Sequence, residues 1–204
     1  MKILLFALTF LAAPTKTHFV LDGGGGKDLV SFLSDAPVEQ FVGRTAAVSG
    51  AVDVDLADVT TGSVEFTVDL STLSTGIDGR DKHMKSAEYL NTDKFPKAAF
   101  KSKSVKLVEG DKALAPNKVT TVEIAGDLTI RGVTRPLSTK AFVRYIKGDA
   151  WSAKMLGPGD ILSVSAQFPI KMTDFGMKVP QYIVLKVANE VQINVKVNAR
   201  TQRM

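Results

Sequence analysis

The chain has no cysteine, so it can build neither a disulfide framework nor a thiolate metal site. Histidine is almost as scarce: His18 and His83 are the only two, fewer than a zinc enzyme requires, and no metal site is expected. Aromatic residues make up 7%, with one Trp and three Tyr, and no basic run interleaves with them, which argues against a nucleic-acid groove. The same scarcity removes the aromatic girdles of a membrane-spanning barrel. No Gly-x-Ser-x-Gly elbow occurs, so a serine hydrolase of that type is excluded. The four glycines Gly23 to Gly26 precede Lys27 and Asp28 rather than Lys and Ser or Thr, and no helix pattern follows, so they do not form a phosphate-cradling loop.

What the chain does have is 45% hydrophobic residues, enough for a real core in a single domain of 204 residues. Its formal charge is +5, a moderate balance that suits an anionic head group or a lipid surface better than a polynucleotide. Lys2 followed by an apolar run over residues 3–13 reads as a secretory leader, too short to span a membrane. We expect a leader over residues 1–16, cut between about residues 13 and 18, and a periplasmic or secreted mature protein. Residues 17–28 read as a Gly-rich N-terminal segment, with 18–21 a short strand or unstructured. The main domain is expected over residues 29–200.

Period-two alternation dominates that domain. Val48, Gly50, Val52, Val54 and Leu56 share one face of a bent strand or a pair of strands, with a bend or bulge expected at Gly50. Val64, Phe66, Val68 and Leu70 mark a half-buried antiparallel strand. The apolar phase shifts between Phe100 and Val105, which predicts a bulge near Ser102. Arg131-Gly132 predicts a hairpin turn. The piece around Trp151 gives no clear signal, and 182–187 fits strand and helix equally. Val191, Ile193, Val195 and Val197 form the cleanest strand. Closure would remove the exposed edges of so many strands, although a two-sheet sandwich has a similar pattern.

Residues 73–100 break the alternation. Gly76 and Gly79 free the backbone, Asp78 is placed to cap a short helix over 80–85, and a helix that short must dock on something. Thr75-Gly76, Arg80-Asp81-x-His83-Met84-Lys85-Ser86, Tyr89-Leu90, Lys94-Phe95-Pro96 and Ala99-Phe100-x-Ser102 follow in order. Further on come Gly126-Asp127-Leu128-Thr129-Ile130-Arg131-Gly132-Val133-Thr134-Arg135-Pro136 and Asp174-Phe175-Gly176. Together these resemble the signatures of the YceI-like, polyisoprenoid-binding family, from about Val30 to Ala199.

The resemblance implies an all-β fold: a closed, antiparallel, lipocalin-like barrel of about eight strands with a short helical insert and an elongated apolar cavity. It also implies a non-enzymatic protein that binds, stores or transports a long-chain isoprenoid or other amphiphilic lipid, with a bound isoprenoid or quinone in place of any cofactor. Candidate lining residues are Phe66, Val68, Phe100, Leu128, Ile130, Phe168 and Val195, each equally readable as packed core. Arg80, His83 and Arg135 are candidates for the polar end, since each can donate to an anionic head. Contact with a membrane surface and a homodimer are compatible with this reading, and no nucleic-acid partner is expected. The alternative is an enzyme acting on a lipid-like substrate, with His83 as general base and Asp81 or Asp93 orienting it. Against it, Arg80, Asp81 and His83 can instead tie the insert to the barrel through buried hydrogen bonds, and no nucleophile stands out.

Overall fold

The computed structural model describes residues 15–21 and 28–201. The expected leader thus lies almost wholly outside the described residues, as do the four consecutive glycines. The strands are β1 (Thr17–Leu21), β2 (Leu29–Asp35), β3 (Gln40–Thr45), β4 (Val48–Asp55), β5 (Asp58–Asp69), β6 (Lys97–Glu109), β7 (Val119–Ile130), β8 (Val133–Ile146), β9 (Ile161–Lys171) and β10 (Glu190–Arg200). Helix α1 (Asp78–Lys85) lies between β5 and β6, and α2 (Ala150–Leu156) between β8 and β9.

From β4 to β10 each strand pairs antiparallel with its successor, and β1 joins β4 to β10 to close the ring. The ten strands of the described residues fill eight positions of the barrel. β2 continues β1 along β10, and β3 continues β4 beside β2, so each of these pairs acts as one interrupted strand. The expectation that the domain starts at residue 29 is therefore corrected: β1 is a barrel strand, and its Phe19 is fully buried. Its length hid it, because five residues before a glycine run carry too little periodicity to distinguish from a tail.

Alternation sets the core. On β7, Thr120, Val122, Ile124, Leu128 and Ile130 all point inward and are buried, as the period-two reading requires. The phase shift on β6 is a register irregularity between Ser102 and Ser104, where the bulge was expected. Arg131 and Gly132 both take positive φ, 53° and 74°, as a two-residue hairpin turn of the I′ type demands.

Gly50 makes no bulge: its pairing with Phe66 lies in regular register, and the irregularity comes later, between Asp53 and Asp55. Glycine is needed there because a Cβ would sit 2.2 Å from the Glu65 carbonyl oxygen, at a φ of 153°. Nor does Asp78 cap α1. Ile77 holds that position without a side-chain bond, and Asp78 sits in the first turn, where its charge complements the helix dipole. The piece around Trp151 is α2, and 181–183 is a single 3-10 turn, neither strand nor full helix.

The two ends of the barrel differ. The β4–β5 and β6–β7 turns and α2 lie at one end, where the Tyr145 hydroxyl donates to Asp160 Oδ2 (2.6 Å) and Asp160 Oδ1 accepts from the Gly148 N–H (2.8 Å). Burial, followed by the hydrogen bond and charge of Asp160, pushes the Tyr145 phenol up to about 12. The folded chain thus holds this proton more tightly than the unfolded chain, whose phenol titrates near 10.0. The resulting stability is full below pH 10 and is lost as the pH rises toward 12. In urea titrations the wild type should lose stability across that window, and Tyr145→Phe should show a visibly smaller decline. Equal declines would show that Tyr145 does not report on folding.

Candidate functional site

The other end carries the β2–β3 turn, the 70–96 insert with α1, the β7–β8 hairpin and the 172–187 segment. The three ordered motifs meet at this rim. Arg131 donates to the carbonyl oxygens of Gly176 and Ala87, the latter at 2.8 Å, and Arg135 Nε donates to that of Asp174 (2.9 Å). One guanidinium thereby joins the hairpin, the insert and the Asp174-Phe175-Gly176 turn. The turn itself closes on Gly176 in the left-handed region, at φ 73°.

The insert is pinned by Asp81. Its carboxylate accepts from Ser74 Oγ (2.6 Å), the Thr75 N–H (2.7 Å) and Thr75 Oγ1 (2.6 Å), while Ser74 and Arg44 exchange backbone bonds that tie the loop to β3. Partial burial raises the Asp81 pKa. The hydrogen bonds from Ser74 and Thr75, with Lys85 nearby, more than offset this and hold it below the usual carboxylate value. Asp81 therefore orients the loop, not His83.

Beneath the insert lies the lumen. An upper compartment of about 140 Å³ is lined by Phe66, Val68, Leu128, Ile130, Phe168 and Val195 among others. A lower one of about 60 Å³ shares Phe66, Leu128, Phe168 and Val195 and adds Phe100. All seven apolar residues singled out in the sequence thus face one compartment or both. The four shared side chains form the neck between them. Except for Ser31 above and Thr139 below, the lining is apolar.

Above the lumen is a vestibule of about 390 Å³ between α1, the β2–β3 hairpin and the 181–187 segment. It shares Phe32, Met84, Tyr89, Met172 and Val191 with the upper compartment. The two methionines are unbranched and adapt readily to an inserted group. Neither lumen compartment alone reaches the roughly 300 Å³ common for ligand pockets, whereas the vestibule does.

The charged candidates separate. Arg80 lines the vestibule, 3.4 Å from Glu39 and stacked 4.4 Å over the Phe41 ring, with its side chain 22% exposed. His83 also lines it but is 58% exposed; it pairs with Glu88 (3.2 Å) and sets its ring edge-on to Tyr89. The network expected of Arg80, Asp81 and His83 is corrected accordingly: each has its own partner, and only Arg80 and Asp81 tie the insert down. Arg135 does not join Arg80 and His83. It stands opposite Leu128 at the unpaired edge of β8, where it is exposed and lines a fourth cavity of about 300 Å³. Lys186 is the vestibule cation that the sequence did not single out, because its segment has neither strand nor helix periodicity.

Comparison with known proteins agrees with this architecture. The YceI-like domain matches residues 27–199. The protein YceI of Shigella flexneri is 30% identical over 185 residues, covering 87% of this chain and 88% of that protein. The crystal structure of Burkholderia cenocepacia BcnA superposes with a TM-score of 0.69 at 22% identity, covering 88% of this chain and 99% of that one. A polyisoprenoid binding domain from Saccharophagus degradans, implicated in plant cell wall breakdown, gives 0.65 at 16% identity, covering 91% and 99%. With a domain match over most of its length and a relative at that identity, the chain belongs to the YceI-like family.

Proposed function

We propose that the protein is a non-enzymatic carrier or store for a long-chain isoprenoid or other amphiphilic lipid, acting in the periplasm or outside the cell. The observation that carries this reading is the continuity of an apolar lumen with a vestibule bearing Arg80, His83 and Lys186. An extended chain gains about 0.8 kcal/mol per methylene moved out of water, so affinity needs little polar readout. An anionic head, such as a diphosphate or carboxylate, rests in the vestibule against Arg80. The Saccharophagus domain of the same fold, described as polyisoprenoid binding, supports an isoprenoid chain, free or as a quinone tail. The leader expected over residues 1–16 supports the location, and the lipid would be acquired at a membrane surface.

The enzymatic alternative is the weaker reading. His83 reaches Glu88 and Tyr89 rather than Asp81, and Asp93 is exposed on a separate turn. Fluorescence titration with a polyene fatty acid tests the proposal. Wild type should bind, and Arg80→Gln should bind about tenfold more weakly, the scale of one charged hydrogen bond. A matching long-chain alcohol should be unaffected by the substitution. Equal losses for acid and alcohol would place the head group elsewhere.

A further inference from the structure

The barrel wall is not hydrogen-bonded all the way round. The β8–β9 ladder runs from Ile146↔Ile161 to Ala141↔Ala166 and stops there. Beyond that point residues 133–140 of β8 pair only with β7, and residues 167–171 of β9 only with β10. Proline stands on both facing edges, Pro136 on β8 and Pro169 on β9. Proline has no N–H to donate to a ladder and is confined to sheet edges, so the local sequence keeps this seam unpaired. Among the described residues two side-chain bonds span it: Thr139 Oγ1 donates to the Gln167 carbonyl oxygen at 3.3 Å, and at the rim end Arg135 Nε donates to that of Asp174 at 2.9 Å.

A cavity of about 300 Å³ occupies the seam. Its inner wall includes Leu128 and Ile170, which also line the upper lumen, and Leu137, which also lines the lower one. Its solvent-exposed lining includes Arg135 and Lys171 with Asp174 and Glu190. The opening therefore joins apolar lumen residues directly to charged groups at the surface. At the mouth, by contrast, a chain must pass the insert, which is held by the Asp81 bonds, the Ser74–Arg44 bridge and the Arg131 bond to Ala87. Widening the seam breaks no ladder bond, only the side-chain bonds of Thr139 to Gln167 and Arg135 to Asp174.

We propose that the seam between β8 and β9 is the passage through which the aliphatic chain of an amphiphile enters and leaves the lumen. This rests on the lipid-binding reading above. Because the chain is free of cysteine, the passage can be bridged selectively. Ser138→Cys and Lys171→Cys, one on each exposed edge, would be joined by a reducible bismaleimide. A second protein, with Val38→Cys and Lys82→Cys, would be joined the same way across the mouth.

Stopped-flow uptake of the polyene fatty acid should slow at least tenfold in the seam-bridged protein. The rate should recover when the bridge is reduced, and the mouth-bridged protein should keep the wild-type rate. Recovery in the same molecules separates a blocked passage from a damaged fold. An unchanged rate with the seam bridged, or slowing only with the mouth bridged, overturns the proposal and leaves lipid binding intact. A wild type that takes up no lipid overturns both.

Discussion

Val195→Trp should abolish uptake of a long-chain ligand, weakening binding by at least about a hundredfold, while the fold survives. Val195 belongs to the neck between the two lumen compartments and is 8% exposed. An indole there fills the space through which the chain must pass. Excluding four methylenes removes roughly 3 kcal/mol of burial, which is about a hundredfold in affinity. In a solid core the same substitution would overpack its neighbours and cost about 1–3 kcal/mol. Here the ring has a void of about 140 Å³ on one side. The melting midpoint should therefore move by no more than about 2–4 °C, the equivalent of 1 kcal/mol in a domain of this size. A collapse in stability with no space left for the ring would mean that Val195 is packed core. Retained binding would mean that the ligand never reaches the neck.

Asp81→Ala should act on the fold instead. Its carboxylate gathers three short bonds from Ser74 and Thr75, and hydrogen bonds to a charged group contribute about 1.5–3 kcal/mol each where they are well buried. Asp81 is only half-buried and its donors can turn to water, so a total loss of about 2–3 kcal/mol is expected, less than for a fully buried pair. That corresponds to roughly 4–12 °C in the midpoint. The pH dependence has a fixed sign. Because the folded pKa lies below the ordinary carboxylate value of 3.8, the stabilisation is present above that pH and is lost as the pH falls below it. Wild type and Asp81→Ala should accordingly converge in stability under acid. Parallel acid curves, or an unchanged midpoint at neutral pH, would contradict the role of Asp81 as the pin of the insert.

The barrel was legible where alternation was strong. Val191 to Val197 fixes the phase of β10, and with it the inward direction of Val195, because period two leaves only one choice once a face is buried. Lumen and packed core were not separable from sequence, since Phe168 or Leu128 would be apolar and inward in either case. The rim was less legible. Arg80, His83 and Arg135 fall in adjoining motifs, yet β8 carries Arg135 to the seam, where it bonds Asp174 instead of facing α1, and only the three-dimensional path shows that. Lys186 gave no signal because an irregular segment has no period to read. The seam lay in the prolines: Pro169 reads as the end of a strand, yet β9 runs through it to Lys171, and its place on the edge facing that of Pro136 emerges only from the register of β8 and β9.

Native mass spectrometry of the protein purified from its own host, followed by lipid extraction, tests the central claim most directly. The protein should carry one long-chain isoprenoid or related amphiphile per chain, and Val195→Trp prepared the same way should arrive without it. A wild-type protein that is uniformly empty, and that stays empty after incubation with isoprenoid and fatty ligands, would contradict the assignment of the lumen as a lipid site.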